Sequence, residues 1–97
     1  MTTWKTTNQS LEKTFEFNTF EDAMQFMQDA TPFISKTDHH PTWSNTYNRV
    51  QVTITTHDAG NQVTEKDYSL AKYLDELYST IKRWKKYFYF YFYALFQ

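Results

Sequence analysis

The chain has no cysteine among its 97 residues. That removes disulfides, thiolate nucleophiles and every cysteine-bearing zinc site at once. Gly60 is the only glycine, so a phosphate-cradling loop of the P-loop or Rossmann kind is excluded. A bias of charge is lacking too. Ten Lys and Arg against eleven Asp and Glu leave a formal charge of -1, which gives no global electrostatic reason to expect nucleic acid. The first ten residues, Met-Thr-Thr-Trp-Lys-Thr-Thr-Asn-Gln-Ser, hold no apolar leader core, and this predicts a cytoplasmic protein. The apolar run near the C-terminus covers only about ten residues, whereas a bilayer-spanning helix needs about 20. A chain of this length predicts one domain that buries roughly 60–65% of its unfolded surface, so self-association is a reasonable way to hide more.

What is present reads as a small α+β unit over residues 1–80, followed by a basic then aromatic extension over 81–97. Leu11, Lys13, Phe15 and Phe17 alternate with Glu12, Thr14 and Glu16, as in a half-buried strand. Thr19 is a good helix N-cap, with Asp22 three residues on, and Phe20, Ala23, Met24, Met27 and Ala30 follow a helical rhythm. Pro32 is expected to kink this helix or end it near Thr31. From Thr42 the period changes to two. Trp43, Asn45 and Tyr47 share one side of a strand, Asn48-Arg49 suits a tight turn, and Val50, Val52 and Ile54 share the inward side of the next strand. Asp58 to Asn61 reads as a turn, and Thr64-Glu-Lys-Asp67 opens a last helix with a capping-box signature. In that helix Leu70, Leu74, Leu77, Ile81 and Trp84 recur at seam spacing, widened by Ala71 and Tyr78. The order strand, helix, hairpin, helix predicts an antiparallel sheet with two main helices packed on one face.

All three histidines fall within 19 residues: His39 and His40 before Pro41, and His57 after the second hairpin strand. With the turn at Asn48-Arg49, Tyr47 faces Val50, Trp43 faces Ile54, and His57 returns opposite His40. Three imidazoles then converge at one end of a hairpin. Imidazole exchanges protons near neutrality, with an unperturbed pKa of about 6.5. No metal site is expected, because no Glu stands at metalloprotease spacing and the adjacent His39 and His40 do not easily aim at one ion. Trp43 reads equally well as a core aromatic, and Asp67 as a carboxylate serving its own helix N-terminus.

Asp38-His39-His40-Pro41-Thr42-Trp43, then Tyr47, Val50 through Thr56-His57-Asp58, Asp67 and Leu70-Ala71 together resemble the pterin-4a-carbinolamine dehydratase family, over about Trp4 to Leu77. The resemblance implies a dehydratase that removes water from 4a-hydroxytetrahydropterin, without a cofactor, in tetrahydrobiopterin recycling for an aromatic amino acid hydroxylase. It implies that His39 and His57 form the proton-transfer pair and that His40 binds and orients substrate. Asp38, Asp67 and Trp43 match positions that support or line the pterin pocket, and Lys66 stands where a basic residue is frequent. Two departures stand out: Ser35 replaces an acidic residue four before His39, and the loop from His57 to Asp67 is one residue longer than in many members. The competing expectation is a non-enzymatic interaction protein of the same family, since some members act as dimerisation partners of a transcription factor.

The tail, Lys82-Arg83-Trp84-Lys85-Lys86 and then alternating Tyr and Phe, holds nine of the twenty aromatic residues between Trp84 and Phe96. It has no counterpart in the resemblance. As a strand it would put its hydroxyls on one side, and as a helix it would be aromatic all round; neither surface suits an exposed monomer. Subunit packing, a frameshift-like extension and membrane-surface contact all fit it, without stable membrane insertion. With the short chain and the seam, it predicts a homodimer or homotetramer.

Overall fold

Alternation governs the first main strand. The computed structural model describes residues 3–95, with side chains described as far as Arg83. In β2 (Leu11–Glu16; β1 is the short strand Lys5–Thr6) Leu11 and Phe15 are buried, as is Phe17 just beyond, while Thr14 and Glu16 are exposed. Lys13 falls on the buried side and is still accommodated. Its Nζ lies 2.7 Å from Asp75 Oδ1 and above the Trp4 and Phe15 rings, and Trp4 Nε1 donates to the other Asp75 oxygen. An aliphatic stem can pack on apolar surface as long as its ammonium finds a partner. At two residues, β1 is too short for periodicity to reveal it.

The remaining elements are α1 (Phe20–Thr37), β3 (Thr42–Thr46), β4 (Arg49–Ile54), one 3₁₀ turn (His57–Ala59) and α2 (Glu65–Leu95). The sheet order is β1-β2-β4-β3, with every pair antiparallel. This is the expected α+β arrangement. Phe15, Val50, Val52 and Ile54 from the sheet meet Phe26, Ala30 and Ile34 from α1 and Leu70, Leu74 and Ile81 from α2 in one core. Leu77 and Tyr78 pack partly buried against it, as the predicted stripe requires. Trp84, the last member of that stripe, and the packing expected of the aromatic tail lie outside the described side chains. No helix among the described residues is long and apolar enough to cross a membrane.

Two local expectations are corrected. The first concerns Pro32: of the two expected effects, a kink or an end near Thr31, the end does not occur, since α1 runs on to Thr37 and stops at Asp38 in the left-handed conformation, φ 52°. The buried stripe Ala23, Phe26, Ala30 and Ile34 continues across the proline, and Phe33 stacks on Tyr73 of α2 at 3.9 Å and 6°. Pro32 itself is exposed, so its ring displaces nothing in the core. Packing on both sides outweighs a penalty of about 3 kcal/mol. Pro32→Ala is therefore expected to raise the urea-unfolding free energy by about 1–3 kcal/mol, and a loss of stability would show that the proline is used.

The second concerns the hairpin. Its turn is Tyr47-Asn48, not Asn48-Arg49, so Trp43 pairs with Val52 and Thr46 with Arg49. Tyr47 takes a φ of 50°, unusual for a bulky residue. Asparagines on both sides hold it there. Asn45 Nδ2 donates to the carbonyls of Tyr47 and Arg49, and Asn48 exchanges two hydrogen bonds with the Phe17 backbone. The register shift is two residues, which preserves which side chains face inward. It does move the histidines: continued past Thr42, the ladder sets His40 level with Thr55, and His57 lies beyond in the 3₁₀ turn.

Candidate functional site

The site is built on the first turn of α2. Thr64 N–H donates to Asp67 Oδ2 at 2.7 Å, which is the carboxylate's half of the expected capping box, whereas Asp67 N–H donates to the Thr64 carbonyl at 3.0 Å and not to its hydroxyl. The Thr64 hydroxyl is turned elsewhere, to Thr56 Oγ1 at 2.6 Å. Thr56 Oγ1 in turn donates to Asp67 Oδ2 at 2.7 Å. A hydroxyl has one proton, so Thr64 donates to Thr56 and Thr56 to Asp67. The other carboxylate oxygen, Oδ1, lies 2.7 Å from His39 Nε2.

Asp67 is fully buried and the His39 side chain nearly so, at 13% exposed. Burial pushes the Asp67 carboxyl up. The hydrogen bonds from Thr64, His39 and Thr56, together with the charge on His39, outweigh it and hold the group below its ordinary 3.8. At neutral pH Asp67 is thus a carboxylate that only accepts, so His39 Nε2 carries hydrogen and Nδ1 is the nitrogen left for exchange.

The other predicted residues are placed as follows. Asp38 ends α1, and its carboxylate lies 3.2 Å from His40 Nε2, with both side chains largely exposed. His57 is exposed in the 3₁₀ turn, and its Nδ1 lies 2.8 Å from Asn61 Oδ1. It adjoins Thr56, so the turn that carries it hangs from the same carboxylate as His39. Trp43 is half-buried against the core, opposite Val52. Asp67 therefore gathers His39 and the base of the His57 turn, whereas His40 and Asp38 form a separate exposed pair.

Beside His39 lies a cavity of about 280 Å³ lined by Phe33, Thr37, Glu65, Lys66, Ser69 and Leu70. Larger depressions, of about 380 and 410 Å³, lie around Lys13, Thr14 and Gln51 and hold no histidine. Among the described residues no three His, Asp or Glu side chains are placed to share a metal ion. Sequence reasoning missed Thr56, Thr64 as a hydroxyl donor, and Asn61. Thr56 did leave a trace, because it continues the inward positions Val50, Val52 and Ile54 and a buried polar residue there needs a partner.

Known proteins share this arrangement of elements. The sequence model of the family described as pterin 4 alpha carbinolamine dehydratase matches residues 1–77. The "Putative pterin-4-alpha-carbinolamine dehydratase" of Bordetella avium is 51% identical over 70 residues, covering 72% of this chain and 64% of that protein. The protein of the same name from Opitutus terrae is 43% identical over 74 residues, covering 76% of each. The chain thus spans less than two thirds of the Bordetella protein's length and about three quarters of the Opitutus protein's. The crystal structure of a transcriptional coactivator/pterin dehydratase from Brucella melitensis superposes with a TM-score of 0.72 at 38% identity, covering 76% of this chain and 80% of that one. A pterin dehydratase-like protein identified as a RuBisCO assembly factor in the alpha-carboxysome shares the fold, with a TM-score of 0.64 at 18% identity over 78% of this chain and 87% of that one. By the family match over residues 1–77 and the identity to these relatives, the chain belongs to the pterin-4-alpha-carbinolamine dehydratase family.

Proposed function

We propose that the chain is a dehydratase that converts a 4a-hydroxytetrahydropterin into the quinonoid dihydropterin, as a cytoplasmic homo-oligomer serving tetrahydrobiopterin recycling. The carrying observation is the buried Asp67 carboxylate, bonded to His39 at 2.7 Å and tied through Thr56 to the turn bearing His57. In the reaction the C4a–O bond breaks and the oxygen leaves as water after taking a proton. The ring nitrogen beside it gives up its proton, and the freed electron pair forms the new C=N bond. Nothing is oxidised or reduced, so two proton-exchanging groups suffice. His39 and His57 take those roles, each contributing about 10²–10⁴-fold. His40, braced by Asp38, orients substrate together with Trp43, and Asp67 holds His39.

The test is 4a-carbinolamine breakdown followed with and without the protein. A clear acceleration over the spontaneous rate is expected, and identical rates would defeat the reading. Activity is also expected to survive exhaustive treatment with EDTA, since protein side chains alone move the protons. Loss on chelation with rescue by zinc would overturn the histidine assignment.

The second reading is a non-enzymatic interaction protein, favoured by the Brucella structure, whose description pairs a coactivator with a dehydratase. His57→Ala separates the two, because it should abolish dehydration while leaving partner binding intact.

A further inference from the structure

His57 opens a short loop that closes on itself. Thr56 and Gln62 exchange backbone hydrogen bonds of 3.0 and 3.4 Å, and Gly60 N–H returns to the His57 carbonyl at 3.0 Å. Gly60 and Asn61 both take the left-handed conformation, with φ of 73° and 58°. This double reversal brings the Asn61 side chain back over the imidazole, with Oδ1 at 2.8 Å from His57 Nδ1. Among the described residues it is the one hydrogen bond the ring makes.

Asn61 turns its amide oxygen to the ring, and an amide oxygen only accepts, so in this arrangement Nδ1 carries the hydrogen. The alternative tautomer would need the Asn61 amide to turn over, so that Nδ2 rather than Oδ1 faces Nδ1. A neutral imidazole free in water prefers hydrogen on Nε2, which would leave Nε2 unable to accept a proton. We propose that Asn61 is a positioning residue that holds neutral His57 as the Nδ1–H tautomer and so presents Nε2 as the proton acceptor for substrate. This rests on the dehydratase reading. It makes the two histidines complementary: His39 is held through Nε2 and offers Nδ1, and His57 is held through Nδ1 and offers Nε2. Asparagine fits the position for a second reason, since it is among the few residues with a side chain that tolerate φ near 58°.

That backbone conformation also supplies clean variants. Asn61→Gly keeps the left-handed residue and deletes the acceptor, whereas Asn61→Asp keeps both. The full chain, labelled with ¹⁵N, is examined in mildly alkaline buffer by long-range ¹H–¹⁵N correlation, with the His57 ring assigned by its loss in His57→Gln. The wild type is expected to show a protonated Nδ1 and a bare Nε2, Asn61→Gly to move the ring to the Nε2–H form, and Asn61→Asp to restore the wild-type pattern. In the dehydration assay Asn61→Gly is expected to lower kcat by about 3–10-fold, the scale of one lost neutral hydrogen bond, with KM nearly unchanged and Asn61→Asp recovering most of the rate. An Nε2–H ring in the wild type, or a tautomer indifferent to Asn61→Gly, would overturn the assignment. So would a changed tautomer with an unchanged kcat. A wild type inert toward the carbinolamine defeats the dehydratase reading, and the spectrum then decides the Asn61 assignment on its own.

Discussion

Asp67→Asn is expected to lower kcat by about 10²–10⁴-fold while costing only about 1–3 kcal/mol of stability. The amide oxygen can turn toward Thr64 N–H and Thr56 Oγ1, which keeps the helix start and the loop closed. The amide nitrogen then faces His39 Nε2, where the carboxylate had accepted a hydrogen bond. Two donors cannot face each other, so His39 must give up hydrogen at Nε2 and carry it on Nδ1, the nitrogen proposed to serve the substrate. Acid stability supplies a second readout. The folded-state pKa of Asp67 is lowered, so its contribution is fully present above the unfolded value and is lost as pH falls below that value through the folded one. Urea unfolding at about pH 7 and about pH 3 should therefore show a smaller acid-induced loss in Asp67→Asn than in the wild type. Equal losses would show that folding does not lower the Asp67 pKa, and an Asp67→Asn enzyme with full kcat would show that the carboxylate serves only the fold.

His39→Ala and His57→Ala are each expected to lower kcat and kcat/KM together by about 10²–10⁴-fold, with less change in KM. Both groups are assigned to proton transfers that develop only in the transition state. His39→Ala also strips a buried carboxylate oxygen of its partner, so His39→Gln, which can keep an N–H donor there, separates lost chemistry from lost stability. The double replacement should cost less than the product of the singles, because removing one already disables the coupled transfer. His40→Ala should instead raise KM more than it lowers kcat. A His40→Ala variant most damaging to kcat, beside a neutral His57→Ala, would invert the assigned roles.

Much of the scaffold was legible because single side chains enforce it. Strict alternation from Leu11 and from Val50, the Thr19 cap and the Thr64–Asp67 closure each act within a few residues, where periodicity and local hydrogen bonding decide the outcome. The helix through Pro32 was not legible, because the compensation comes from contacts distant in sequence such as Phe33 on Tyr73. The hairpin turn was missed for a similar reason: the asparagine bonds that hold Tyr47 left-handed include two to the backbone of Phe17, just past the end of β2 and distant in sequence. At the site, sequence reasoning named Asp67 and the histidines but not the threonine pair between them. Hydroxyls of Thr56 and Thr64, eight positions apart, meet only because the intervening loop folds back.

The dual employment of Asp67 has an evolutionary consequence. Its bonds to Thr64 and Thr56 close a helix and a loop whether or not water is ever eliminated. A descendant that had abandoned catalysis would lose any chemical need for His57 yet still gain stability from this carboxylate and from the His39 that partners it. Retention of the aspartate is therefore a poor marker for sorting working enzymes from silent copies. A more informative position is His57, an exposed side chain that packs into no core and whose one hydrogen bond among the described residues goes to Asn61.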